Sequence, residues 1–335
     1  MKSPLNILAL EPYFGGSHRA FLEGWSSVSR HNWTVIDLPP HKWKWRMRHG
    51  AVTLADRVTA MNNGDSGWDL IFCSDMLNLA EFRGLVEPSV AALPAIVYFH
   101  ENQLTYPVRQ EAERDLHFAF TNMTTALAAR EVWFNSAFHR DSFLRGLADM
   151  LGRMPDSNMP DKVDLIRARS QLRPQGIRPV TPRHERSPGP PHLLWVARWE
   201  HDKNPELFFE VLRKLVDEGA DFRVSVLGES FADSPEVFST APAWLGDRIA
   251  NWGYRESREE YEEILRQADI VVSTADHEFF GVGIVEAAAA GAYPLMPERL
   301  AYPEIFSNDR IDGAGEFFYG GTFDKHEGYL FGVFW

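Results

Sequence analysis

At 335 residues the chain is long enough for two domains of ordinary size, and its 44% hydrophobic content supplies a full core and excludes a largely disordered protein. The net charge of −13 argues against broad electrostatic adhesion to nucleic acid or anionic membrane, and leaves room only for a local basic patch. A single cysteine, Cys73, excludes a disulfide framework and a cysteine-rich metal site. No apolar run approaches the ~20 residues of a spanning helix. Met1–Pro4 leads straight into a strand without a signal-peptide core, so the expectation is a soluble cytoplasmic protein without a membrane partner.

The first half alternates strands and helices. Asn6–Leu10 reads as a strand, followed by the turn Phe14-Gly15-Gly16. Ser17 is the expected N-cap of a helix carrying Ala20, Phe21 and Trp25 at helical spacing. Trp33–Leu38, Asp69–Ser74, Pro94–His100 and Glu131–Asn135 read as further strands, with a long helix expected from Glu111 to Arg130. Between Arg173 and Pro191 six prolines interrupt the periodicity, which reads as a linker. A second α/β series follows: strand His192–Ala197, a helix opened by Asn204-Pro205 and closed by Gly219, strands Phe222–Leu227 and Ile249–Gly253, helix Tyr261–Ala268, strand Ile270–Ser273 and helix Ile284–Ala290. The expected organisation is an N-terminal Rossmann-like domain, residues 1–172, a linker, 173–191, and a C-terminal Rossmann-like domain, 192–335. Two doubly wound α/β domains of this kind imply a ligand cleft between them. After Glu304 the pattern decays into a glycine-rich stretch and an aromatic tail with no evident closing helix.

The strongest chemical signal is the pair Glu278 and Glu286 in T-A-D-H-E-F-F-G-V-G-I-V-E. Glu278 falls in a loop after a strand and Glu286 in the first turn or so of the next helix. Strand C-termini and helix N-termini are where α/β folds bind ligands and anions. Surface glutamates also favour helix starts for dipole reasons alone; the flanking strand and the small-residue helix favour a site. Arg198 and Lys203 follow a strand directly, a planar fork and a point charge suited to phosphate. Gly281 and Gly283 would let backbone approach a diphosphate, and Gly228 ends a strand. Gly15 and Gly16 form a turn that equally suits a phosphate or no ligand at all, with Ser17 and His18 beside it. His100 ends a strand ahead of three polar residues, and no second and third metal ligand stand at suitable spacing from it. Lys42, Trp43, Lys44, Trp45 and Arg46 form the chain's dense basic and aromatic cluster. Such residues stack on bases and neutralise phosphates; on composition alone a helix with buried tryptophans and solvated basic residues is the favoured reading. Tyr302 and Glu304 would close a ribose site or cap a strand.

These motifs carry a resemblance. The E-x7-E pair resembles that of retaining nucleotide-sugar glycosyltransferases of family 4, which have the two-domain GT-B fold. E-P-Y-F-G-G-S-H, L-P-P-H-K-W-K-W-R, Y-F-H-E-N-Q-L-T-Y-P-V, R-W-E-H-D-K-N-P, S-V-L-G-E-S-F and T-A-D-H-E-F-F-G-V together resemble the tRNA-queuosine α-mannosyltransferase family, over most of residues 5–306. The resemblance implies metal-independent mannose transfer, with retention, from GDP-mannose to queuosine in the anticodon of tRNA-Asp, with no cofactor. It implies that Arg198 and Lys203 hold the donor diphosphate, that Glu278 contacts the sugar and Glu286 the ribose, and that His100 sits near the sugar. Gly15, Gly16, Gly228, Gly281, Gly283 and Glu304 would line the donor site, while Ser17, His18 and the 42–46 cluster would serve the acceptor. Two other readings stand beside this one. The same donor site could serve a glycan, lipid or small-metabolite acceptor, or the chain could be a catalytically silent binder of tRNA or nucleotide sugar.

Overall fold

The computed structural model describes residues 3–61, 67–107, 115–183, 185–186, 188–306 and 317–319. The chain divides into two compact units, Met1–Gly176 and Ile177–Trp335. The aromatic tail and the first part of the expected Glu111–Arg130 helix lie outside the described residues.

The first unit holds a six-stranded, all-parallel sheet. Its strands are β1 (Asn6–Glu11), β2 (Asn32–Asp37), β3 (Leu70–Ser74), β4 (Ala95–Phe99), β5 (Glu131–Phe134) and β6 (Ser170–Leu172), in the order β2-β1-β3-β4-β5-β6. Its helices are α1 (Gly16–Val28), α2 (Trp43–Met61), α3 (Leu79–Leu85), α4 (Pro88–Ala91), α5 (Leu116–Ala128), α6 (Ala137–Gly152) and α7 (Pro160–Arg169). Parallel strands are covered on both faces, so they read as continuous apolar runs. The alternation of strand side chains builds two cores. Leu8 and Leu10 join α2, α3, α5, α6 and α7 on one face, while Ile7 and Ala9 join Phe72, Tyr98 and the aromatic stripe of α1 on the other. That stripe is His18, Phe21, Leu22 and Trp25, at helical spacing; Phe21 stacks on Tyr98 at 4.2 Å between centroids. Ala20 is exposed. Ser17 is not the N-cap: the helix starts at Gly16 and Gly15 holds the cap position, in extended backbone. A Cβ at Gly15 would collide with the Pro40 ring, which explains glycine there.

The second unit repeats the plan with β7 (His192–Val196), β8 (Arg223–Leu227), β9 (Ile249–Trp252), β10 (Ile270–Val272), β11 (Tyr293–Pro297) and β12 (Phe318–Tyr319), in the order β12-β11-β10-β7-β8-β9, again all parallel. Its helices are α8 (Pro205–Asp217), α9 (Val237–Thr240), α10 (Pro242–Leu245), α11 (Arg258–Gln267), α12 (Val282–Ala289) and α13 (Tyr302–Ile305). Asn204, in left-handed backbone, caps α8 by accepting from Leu207 N, and Pro205 takes the first helical position. α8 buries Leu207, Phe208, Val211, Leu212 and Leu215 along one face. Ser257 caps α11 by accepting from Glu260 N.

Each sheet has one point where the winding reverses. In the first it lies between β1 and β3, in the second between β7 and β10. Loops leaving neighbouring strands diverge at such a point and open a crevice at the strand C-termini.

Candidate functional site

At the reversal point of the second sheet, a 3₁₀ turn over His201–Lys203 follows β7, and the loop carrying Glu278 follows β10. Lys203 is 7% exposed. Its Nζ donates to His277 O at 2.8 Å and to Glu278 Oε2 at 3.3 Å, and lies 3.1 Å from Asp202 Oδ2. Thr274 Oγ1 donates to Lys203 O, tying the two loops together. Burial opposes the charge on Lys203, but Glu278 and Asp202 overcome it and its pKa is raised. Burial likewise opposes ionisation of Glu278; Lys203 overcomes it and holds the carboxyl below its usual range. Burial and the Lys203 charge together push His277 down to about 4, so it is neutral. Arg198 is half exposed, its Nη2 3.2 Å from Glu200 Oε2.

Glu286 lies in the second turn of α12, one turn later than the sequence suggests, and is 7% exposed. Arg258 Nη2 donates to its Oε1 at 2.7 Å and Tyr261 OH to its Oε2 at 2.9 Å. Both partners come from α11, so the carboxylate is fixed before any ligand arrives. Gly281 precedes α12 in left-handed backbone, where a Cβ would strike the Tyr302 ring. Tyr302 is buried, its hydroxyl 2.7 Å from Ser273 Oγ, so it supports this loop from beneath. Two glycines have packing reasons: a Cβ at Gly228 would collide with Ala197 O, and one at Gly283 would press on Val196. Glu304 is exposed on α13.

At the reversal point of the first sheet the structure assembles a cluster that linear spacing does not show. Glu11 ends β1, Ser74 ends β3, Asp75 and His100 follow β3 and β4, and His18 sits in the first turn of α1. Glu11 Oε1 accepts from Tyr13 N and Ser74 Oγ, each at 2.9 Å; Glu11 Oε2 lies 3.2 Å from His18 Nδ1. The rings of His18 and His100 are 4.1 Å apart. Burial alone would lower the pKa of His18, but the ion pair and hydrogen bond to Glu11, with Asp75 and Glu101 behind them, raise it to about 9. Asp75 is fully buried; burial, against the pull of His18, lifts its carboxyl to about 8. Burial and the charge of His18 hold His100 well below its usual value. Asp75 Oδ1 accepts from His100 N at 2.9 Å, while Asp75 Oδ2 and His100 Nδ1 are buried without a hydrogen-bond partner among the described residues. Glu11, His18 and His100 offer ligand atoms all within 4.8 Å of one another. The spacing argument against further metal ligands near His100 therefore fails: its neighbours come from the end of β1 and the first turn of α1, far from it in sequence. Glu11 is already engaged by three protein groups, which makes the arrangement an ion pair with a neutral histidine stacked on it.

The basic and aromatic cluster opens α2. The core face of α2 is Met47, Gly50, Ala51, Leu54, Ala55 and Val58, so the tryptophans are not core residues. Trp45 is 61% exposed; Trp43 leans on Phe118 at 5.2 Å with Lys44 over its ring. Arg46 Nε donates to Pro39 O at 2.9 Å, and Lys42, in left-handed backbone, leads into the helix. Ser17 and Gly16 are exposed, and nothing lies within 4 Å of where a Cβ on Gly16 would be.

Sequence reading missed Glu11, Asp75, Asp202, His277, Arg258 and Tyr261. Their signal is positional: Glu11, Asp75 and His277 each end a strand or follow one, and Arg258 and Tyr261 lie three apart on one face of α11.

Residues 6–177 match the family model for the N-terminal region of tRNA-queuosine α-mannosyltransferases, and residues 179–318 match that of group 1 glycosyl transferases. The tRNA-queuosine α-mannosyltransferase of Drosophila melanogaster is 39% identical over 321 residues, covering 91% of this chain and 83% of the relative. A GDP-mannose-dependent α-(1-6)-phosphatidylinositol dimannoside mannosyltransferase of Mycobacterium tuberculosis is 25% identical over 190 residues, 57% of this chain and 46% of that protein. Among solved structures, Anabaena HepE with UDP and glucose superposes with a TM-score of 0.64 at 12% identity, covering 98% of this chain and 89% of the other. The sucrose-phosphate synthase of Thermosynechococcus elongatus gives 0.64 at 14% identity, over 90% and 83%. Those two likenesses bear on the fold, which is GT-B. The chain belongs to the tRNA-queuosine α-mannosyltransferase family.

Proposed function

We propose that this chain is a retaining mannosyltransferase that moves mannose from GDP-mannose to queuosine in the anticodon of tRNA-Asp. The observation that supports it most is the ion pair of buried Lys203 with partly buried Glu278, together with a pre-fixed Glu286 on the following helix, in a chain of this family. Lys203 and Arg198 stabilise the negative charge that develops on the leaving diphosphate. A nucleoside diphosphate leaves without a general acid. Glu278 orients the sugar hydroxyls, and Glu286 accepts from the ribose with the lone pairs that Arg258 and Tyr261 leave open. The bond from sugar carbon to phosphate oxygen breaks as the acceptor oxygen bonds on the same face, and a donor phosphate oxygen takes the acceptor's proton. The reaction is read as metal-independent, with no resident cofactor. In the first unit, His18 and the exposed 42–46 cluster serve the acceptor. A nucleotide sugar and a tRNA are then the partners, and the cytoplasm is the expected place of action. Among the described residues no helix is long and apolar enough to cross a membrane.

The test is incubation with GDP-mannose and queuosine-containing tRNA, with unmodified tRNA as control, followed by mass analysis of the digested nucleosides. A hexose increment on queuosine alone is expected. The net charge of −13 favours a second reading in which the acceptor is a small metabolite or glycan. Donor turnover without tRNA labelling would select it.

A further inference from the structure

At the end of the first sheet opposite to Glu11 and His100, the starts of β4 and β5 border a cavity of about 490 Å³ that is wide open to solvent. Its lining includes Arg83 of α3, Arg130 just before β5 and Arg169 at the end of α7; the rest is alanine, leucine and proline, with no acidic residue. Among the described residues none of the three guanidinium groups has a carboxylate partner, in a chain whose net charge is −13.

The groups are held but not neutralised. Arg83 donates to Ala91 O and, at 2.9 Å, to Leu93 O. Arg169 Nη1 donates to Leu127 O at 2.8 Å and Ala129 O at 2.9 Å. Ala91 O ends α4, and Leu127 O and Ala129 O lie at the end of α5, where a helix C-terminus favours a cation. Carbonyl dipoles do not cancel three like charges around one cavity. Each guanidinium carries five N–H donors, so donors remain on Arg83 and Arg169. Arg83 Nε is buried with no hydrogen-bond partner among the described residues. Arg130 is exposed at the rim. Burial also disfavours the charge on Arg83, a cost that a bound anion would offset.

We propose that this cavity is an anion site that takes a phosphate group. Planar guanidinium forks match the oxygens of a phosphate, and three of them outmatch a single carboxylate. The phosphate is either a free phosphomonoester-type anion or a backbone phosphate of a nucleic acid. The site lies at the opposite end of the first sheet from Glu11, His18 and His100 and does not depend on the proposed function.

The test uses the full chain and the variant Arg130→Gln, whose exposed side chain leaves the carbonyl caps of Arg83 and Arg169 in place. Melting is followed in inorganic phosphate against chloride at matched ionic strength. Phosphate should raise the melting temperature of the parent, and Arg130→Gln should lose most of that rise while melting like the parent in chloride. In parallel, tRNA affinity is measured against salt. If Arg130→Gln also weakens tRNA and lowers the slope of log affinity on log salt by about one, the occupant is a nucleic-acid backbone phosphate. If only the phosphate effect is lost, the occupant is a free phosphate group. Equal phosphate shifts in parent and variant, with unchanged tRNA binding, overturn the proposal.

Discussion

Lys203 Nζ and Glu278 Oε2, 75 residues apart in sequence, lie 3.3 Å apart where the loops of two neighbouring strands diverge. The pair is stabilising as well as chemical. Lys203→Ala should reduce mannose transfer by on the order of 10²-fold or more, as removal of one group stabilising a transition-state charge commonly does. It should also destabilise the second unit by about 1–3 kcal/mol, because it leaves the partly buried Glu278 and Asp202 without their counter-charge. Single-turnover rates and denaturant melts separate the two effects. A wild-type rate would remove Lys203 from the site.

The pair sets a pH window for that stability. Glu278 has a depressed pKa, so its contribution is present above 4.5 and is lost as pH falls through its folded value. Lys203 has a raised pKa, so its contribution is present below 10.5 and is lost as pH rises through its folded value. In Lys203→Met the acid limb of the melting profile should flatten; an unchanged limb would show that other carboxylates govern it.

The first unit should weaken on the alkaline side. His18 is raised from 6.5 to about 9, so the stability it contributes is complete below 6.5 and is lost as pH rises toward 9. Asp75 is raised from 3.8 to about 8 and loses its contribution in the same direction, from 3.8 upward. Glu11→Gln should bring the His18 titration down toward the ordinary histidine range, readable from its imidazole resonances. A His18 titration still near 9 in that variant would mean that Asp75 and Glu101, not Glu11, sustain the charge.

Tyr261→Phe removes one donor to Glu286 and leaves Arg258 in place. Donor affinity should fall a few-fold while the fold survives, since Tyr261 spans one hydrogen bond of ~1 kcal/mol. Calorimetric titration with GDP-mannose checks it. Glu286→Ala should cost more, because it also strands Arg258. Unchanged affinity in both would detach Glu286 from the nucleotide.

Trp45 is exposed enough to lose without disturbing the core. Trp45→Ala should leave donor hydrolysis intact and weaken tRNA by about 1–3 kcal/mol, the usual worth of one stacked base. Filter binding at fixed salt reads this directly. Equal loss of both activities, with a lowered melting temperature, would show that the residue is structural after all.

Most strands could be placed to within a residue from the amino acids alone, because parallel strands buried on both faces are continuous apolar runs between polar ends. β11 escaped because Pro294 and Pro297 interrupt it, yet it pairs with β10 through Val271 and Pro294. β6 escaped because Ser170–Leu172 is short and largely exposed at the sheet edge. Lys203, Glu278 and Glu286 were legible as candidates because Lys203 and Glu278 follow strands by a few residues and Glu286 lies on the helix of the same motif as Glu278. The Glu11–His18–Asp75–His100 cluster was not, since its members meet only once the strand order is known. His18 falls at the expected start of a helix, and only the stripe of α1 shows that it turns inward onto Glu11. Gly228 and Gly283 were read as ligand-facing, and the structure supplies a packing reason for each: Ala197 O and Val196 leave no room for a side chain.

Among the described residues, every strand of the first sheet comes from residues 6–172 and every strand of the second from 192–319; neither sheet borrows a strand from the other. The two reversal points, and the groups gathered at each, are therefore written in separate, continuous stretches of the sequence. A lineage can rewrite what the first stretch recognises without re-solving the chemistry of the second, and substitutions that alter one recognition should be found clustered on one side of the proline-rich junction.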